Sequence, residues 1–118
     1  MIDGTVTIDG IPTITMNIAG ADWEATIDTG FNGDLELPLE LMPHVDAVYF
    51  GPVTSHRAGG QRIVESGYDV RVPFDGELRE AQATFVEGPT ILIGTRLLNR
   101  HRLVIDFRNR TLRLDVTQ

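Results

Sequence analysis

The chain has 118 residues, 42% of them hydrophobic, with no cysteine and a formal net charge of −7. That length suits one domain with a modest core, residues 1–118, and the composition excludes a disordered chain. Without Cys there are no disulfides, no thiolate chemistry and no cysteine-rich zinc site, and the acidic balance excludes nucleic acid as the main partner, because phosphate binding needs a basic face.

Thr5–Ile8 and Thr13–Ile18 alternate as strands do, and Asp9-Gly10 between them is a hairpin signal. Trp23–Ile27 reads as a third strand that stops at Asp28-Thr29-Gly30. Leu35–Leu37 is a short strand closed by Pro38, and Leu39–His44 has room for one helical turn. Ala47–Val53 and Arg62–Tyr68 read as strands on either side of Ser55–Gln61, whose tip is Gly59-Gly60. Val70–Phe74 and Glu80–Val86 flank the turn Asp75-Gly76. Thr90–Ile93 is a compact apolar strand ending at Gly94. Thr95–Arg100 carries the one helical pattern of the chain, with Thr95 as N-cap. Leu103–Phe107 and Thr111–Leu114 close the chain as strands joined at Arg108-Asn109-Arg110. Short strands at regular spacing with one late helix predict an all-β barrel or sandwich.

Chemistry is concentrated at Asp28. An apolar strand delivers its carboxylate to a turn that Gly30 permits, with Thr29 placed to hydrogen-bond within the loop. An Asp so held can polarise water if a second carboxylate faces it. Two close carboxylates share one proton, so that one is base and the other acid. A lone Asp-Thr-Gly is also what an ordinary strand-to-turn junction looks like, so the triad by itself does not decide. The second signal is Ile91-Leu92-Ile93-Gly94-Thr95-Arg96-Leu97-Leu98: an apolar strand, a Gly, then a short amphipathic helix.

In that order the two segments, Ala25–Pro38 and Ile91–Leu114, resemble the retropepsin-like aspartic proteases of clan AA. These proteases are the standard instance of two aspartates sharing a proton. Asp28-Thr29-Gly30-Phe31, followed by Asn32-Gly33, is similar to a prokaryotic branch with Phe after the triad. Leu97–His101 with Val104–Phe107 is similar to the end of the protease domain in eukaryotic DNA-damage-inducible ubiquitin receptors. The resemblance implies a closed retropepsin-like β-barrel (the acid protease fold) with one short C-terminal helix. It further implies Asp28 as the catalytic carboxylate, Thr29 bracing paired loops across a dimer, and Gly30 lining the cleft. Gly94 would permit a close crossing behind the active-site loop, and the hairpin around Gly59-Gly60 would be a flap over substrate. Phe31 departs from viral retropepsins, which carry a small residue there, and makes pocket size the open question.

The sequence holds one Asp-Thr-Gly and no Asp-Ser-Gly. Asp106 precedes a polar hairpin turn, where a turn or ion-pair role suits it better than catalysis. The second carboxylate is therefore expected from a second copy through a two-fold axis, and the hairpin Leu103–Val116 is the expected interlocking element. The reading is a homodimeric aspartic endopeptidase that cleaves a peptide or protein substrate at mildly acidic pH without a cofactor or metal. The competing reading is a retropepsin-fold module for dimerisation or peptide binding, with little or no hydrolysis.

Other motifs are weaker. His44, His56 and His101 lack zinc spacing and suit surface or locally satisfied roles. Ser55-His56 and Ser66 lack the Gly-rich nucleophile elbow. Arg96, Arg100 and Arg102 read as a solvated face, and Trp23 as a core or interface residue. All ten cationic residues are Arg, which removes Schiff-base and P-loop lysine chemistry. No apolar window reaches the roughly 18 residues of a membrane helix, and Met1–Thr5 is too polar for a secretory leader. The expected location is the cytoplasm.

Overall fold

The computed structural model describes residues 1–56 and 59–117, with Ser55 and His56 described by backbone alone. Alternating apolar and polar side chains carry the chain through β1 (Ile2–Val6), β2 (Pro12–Ile18), β3 (Ala21–Ile27), β4 (Leu35–Pro38) and β5 (Val48–His56). Then follow β6 (Arg62–Phe74), β7 (Glu77–Val86), β8 (Ile91–Ile93), β9 (His101–Asp106) and β10 (Thr111–Val116). A 3-10 helix spans Leu39–His44, where the sequence leaves room for one turn. Among the described residues no helix is long and apolar enough to cross a membrane.

The strands form one sheet in the order β5-β6-β7-β4-β8-β3-β2-β1-β10-β9. The expected closure into a barrel is not observed: β5 and β9 end the sheet, each paired on one side only. The sheet instead folds over, so that β2 touches β6 across the interior. Ile14, Met16 and Ile18 from β2 join Val70, Val72 and Phe74 from β6 in a single core with Leu35, Leu37, Ile91 and Ile93. In β2 and β6 period-two alternation points one face at this core and the other at solvent.

Four sequence expectations need correction. The first strand runs Ile2–Val6 rather than Thr5–Ile8, because Ile8 lies in the connection to β2 and is 87% exposed. That connection is wider than a two-residue Asp9-Gly10 turn, since Thr7 N donates to Ile11 O and Gly10 N to Thr7 O. Arg62–Tyr68 and Val70–Phe74 are one long strand, β6. The predicted helix Thr95–Arg100 is a run of turns: Leu98 N bonds to Thr95 O and His101 N to Leu98 O, both three residues back. Between β8 and β9 there is no length for an α-helix to repay its nucleation, so burial of Leu97 sets the conformation.

His101, at the head of β9, departs from the surface or satisfied role expected of it. Its side chain is 4% exposed, packs edge-on against Phe74, and lies 3.9 Å from Asp75 Oδ2. Neither ring nitrogen has a hydrogen-bond partner among the described residues. Burial holds this imidazole below its usual range; Arg79 adds to the effect and Asp75 opposes it. The folded chain therefore favours neutral imidazole more than the unfolded chain does. The stability from this source is complete above the unfolded pKa of about 6.5 and is lost as pH falls through the lower folded value. Thermal midpoints measured between about pH 8 and pH 5 will fall for the wild type, and His101→Phe will remove part of that fall.

Candidate active site

Parallel pairing of β3 with β8 places the site. Ala25 is opposite Ile91 and Ile27 opposite Ile93, so both strands release the chain at the same end of the sheet. Asp28 follows one and Gly94 the other, and Asp28 N donates to Ile93 O at 2.9 Å. Both strands lie inside the core, so the half-buried Asp28 projects from a fixed base.

The Asp28 loop turns on its own side chain. Gly30 N donates to Asp28 Oδ1 at 2.9 Å, and Phe31 N to Asp28 O at 3.1 Å. A Cβ at Gly30 would lie 3.2 Å from the same carboxylate oxygen, so the bare backbone lets the carboxylate fold back. Thr29 is exposed beside it, and the bond that closes this turn comes from the Gly30 amide.

Beyond the turn, the loop rests on the segment after β8. Gly94 N donates to Asp34 O, Thr95 N to Phe31 O at 2.8 Å, and Arg96 N to Gly33 O. Gly94 is buried here. A Cβ on it would overlap the Gly33 carbonyl oxygen and sit 2.7 Å from that of Phe31.

Asp28, Gly30 and Phe31 line a cleft of about 400 Å³, with Leu35, Leu92 and Ala83 supplying apolar wall. Phe50 and Val53 reach it from β5. Phe50 is the extra residue of a bulge, because Tyr49 opposes Tyr68 while Gly51 already opposes Gly67. Bulges re-aim side chains in this way. Across from it, Gly67 leaves the room that Phe50 and Val53 use: a Cβ there would lie 2.5 Å from each.

Gly59 and Gly60 sit at the β5–β6 connection with φ of +89° and +81°, a backbone suited to glycine. They are not among the cleft-lining residues, and neither is Gly94. The Ser55-His56 side chains and residues 57–58 of that connection lie outside the described residues. Asp106 accepts from Asn109 N and from Asn109 Nδ2, at 3.0 and 2.8 Å, which ties the turn between β9 and β10 and lowers its pKa.

Sequence reading missed Asp34, Gln82 and Arg96, all on the cleft wall. Asp34 is 8% exposed. Its Oδ2 accepts from Gln82 N at 2.9 Å and its Oδ1 lies 3.9 Å from Arg96 Nε. Arg96 in turn donates from Nη1 to Gln82 Oε1 at 2.7 Å, so it is no freely solvated cation. No local sequence signal marks Asp34, because the pairing of β4 with β7 brings Gln82 to it.

No protein-family model and no curated protein sequence matches the chain. Solved structures do match. A retropepsin-like aspartic protease from Rickettsia conorii superposes with a TM-score of 0.65 at 19% identity, over 96% of this chain and 88% of that one. The foamy viral protease-reverse transcriptase, solved with double-stranded DNA, superposes with a TM-score of 0.60 at 13% identity, over 76% of this chain and 15% of that one. Its complex with an RNA/DNA hybrid gives 0.61 at 13% identity, over 80% of this chain and 13% of that one. The fold is retropepsin-like.

Proposed function

We propose that residues 1–118 form one aspartic endopeptidase domain that acts as a homodimer, each copy contributing one Asp28. The reading is carried by the Asp28 carboxylate, held at a strand end in a cleft of about 400 Å³ on a retropepsin-like fold. A single Asp-Thr-Gly per chain makes a twofold assembly the economical source of the second carboxylate. β9, an outer strand with one free edge, supports the C-terminal hairpin as part of the contact between copies.

In this reading an extended peptide lies along the cleft, with Phe31, Phe50 and Val53 against its side chains. Thr29 faces the partner loop, Gly30 borders the substrate, and Gly94 lets the supporting segment cross close behind. The β5–β6 hairpin with Gly59-Gly60 closes over the peptide. One Asp28 carboxylate takes a proton from water while the other, protonated, donates to the scissile carbonyl. The hydroxide adds to the carbonyl carbon to give a gem-diol. The C–N bond then breaks, the amine leaving with a proton from one carboxyl while the diol returns a proton to the other carboxylate. No covalent intermediate with the enzyme forms. Because the pair must hold one proton, activity peaks below neutral pH. Phe31 after the triad supports placing the chain in the prokaryotic branch with Phe there, and a cytoplasmic location fits a Cys-free chain.

The shared dyad has a kinetic signature. Specific activity on a peptide library at mildly acidic pH rises with protein concentration, following the dimer fraction seen by sedimentation. Constant specific activity across the monomer–dimer transition overturns the shared site. Peptide binding without turnover at every pH replaces the enzyme with a binding module.

A further inference from the structure

We propose that Asp34 is a positioning residue for Asp28, acting through the place of its carboxylate rather than through its charge. This deepens the protease reading and rests on it only for the kinetic half of the test.

The segment 28–34 belongs to no strand or helix, yet it must hold the Asp28 carboxylate still. At its near end the chain leaves β3 and is fixed to β8, through Asp28 N on Ile93 O. Its middle hangs on Thr95 and Arg96 by main-chain bonds and a 3.4 Å bond from Thr95 Oγ1 to Phe31 O, and at its far end Gly94 N holds Asp34 O where the chain enters β4. Thr95 and Arg96 belong to a run of turns, so their bonds tie one irregular stretch to another. Asp34 adds the side-chain tie between this loop and β7, just ahead of the backbone pairing of β4 with β7. Its carboxylate takes the amide of Gln82 in β7, 48 positions away in the chain. The Gln82 side chain then holds Arg96, whose own amide holds Gly33. A closed circuit results: loop to β7, β7 to Arg96, Arg96 back to the loop.

The circuit stands at a partition. Asp34, Gln82 and Arg96 line both the Asp28 cleft and a second hollow of about 520 Å³ on its other side. Residues that border open space on both sides are held by directed hydrogen bonds more than by packing. Arg96 is more than half exposed and 3.9 Å from the carboxylate, a separation at which the ion pair contributes little. The short bond to Gln82 N carries the tie, which is why position matters more than charge.

The experiment compares Asp34→Asn, Asp34→Glu and Asp34→Ala, in kcat and KM on one peptide and in amide hydrogen exchange. Asn keeps an acceptor in the same place; Glu keeps the charge but moves it by one methylene. Displacing a catalytic group by about 1 Å costs up to about 100-fold in rate. The expected order of kcat is Asn close to wild type, Glu about 10-fold lower and Ala about 10- to 100-fold lower, with KM within about twofold throughout. In Glu and Ala the amides of Phe31, Thr95 and Arg96 exchange faster while those of β2 do not. A merely structural Asp34 would lower the thermal midpoint and leave kcat unchanged well below it, which overturns the proposal. An active Glu variant beside a poor Asn variant also overturns it. Should Asp34→Ala not fold, the Asn–Glu comparison decides. Should the wild type hydrolyse nothing, the protease reading fails, and exchange at those three amides still settles the role of Asp34.

Discussion

On the proposed shared-dyad reading, Asp28→Asn is expected to abolish peptide hydrolysis, lowering kcat by about 10³-fold or more, with fold and assembly retained. The substitution is nearly isosteric, and its amide oxygen can still accept from Gly30 N, the bond that closes the turn in the native loop. The half-buried position involves no core packing, so the thermal midpoint moves by no more than an ordinary surface substitution, about 0.5 kcal/mol in stability. What disappears is the proton that two carboxylates share. The variant also poisons the wild type. Random pairing in a mixture of about equal amounts leaves about a quarter of the dimers with two Asp28 side chains. Activity per wild-type chain therefore drops to about half after exchange of subunits. Unchanged hydrolysis in the pure variant removes Asp28 from the mechanism; unchanged wild-type activity in the mixture, with subunit exchange demonstrated, removes the shared dyad.

Gly94→Ala is the most damaging single methyl group that the site can receive. Gly94 is buried where the segment after β8 passes the Asp28 loop, and the new Cβ meets two carbonyl oxygens, those of Gly33 and Phe31. Both are backbone atoms that already accept from Arg96 N and Thr95 N, so neither can swing aside as a flexible side chain would. Relief requires the loop and the turn to separate, with loss of those bonds. Overpacking costs roughly 1–3 kcal/mol, and rigid backbone neighbours push this case to about 3 kcal/mol or beyond. Denaturant unfolding measures it directly. In the protein that remains folded, hydrolysis falls with the displacement of Asp28. A change under about 1 kcal/mol with full activity contradicts the close crossing.

Much of the fold was legible because its signals are local. Alternation marks β2 and β6 as strands with one buried face, although the apparent break at Tyr68–Val70 is only a polar Asp69 inside one long strand. Gly76 and Gly10 mark turns, since both have positive φ. The helix expected at Thr95–Arg100 shows the limit of such signals. Its apolar spacing suits a helix, but β8 and β9 leave a connection too short for one, and the core takes Leu97 from a turn instead. His101 shows the same limit from another side, because an isolated His carries no mark of the buried place that Phe74 and Asp75 make for it.

At the site, the turn formed by Asp28 and Gly30 was readable because it lies within three consecutive residues, the Gly30 amide closing on the Asp28 carboxylate. Asp34 was not readable. Its partner Gln82 is brought to it by the pairing of β4 with β7, which no local pattern encodes. Phe50 was hidden for a similar reason: a one-residue slip against β6 aims it at the cleft.

The order of residues alone determined a strand-rich chain with one Asp-Thr-Gly turn at a strand end, because periodicity and turn chemistry act over a few neighbours. Only the tertiary structure decided that the sheet stays open at β5 and β9 and that Gly94 passes against the Asp28 loop. It also decided that a buried Asp34 joins that loop to β7. Those outcomes depend on which distant strands pair and in what register, and the free energy of that choice is shared over the whole core rather than written at any one position.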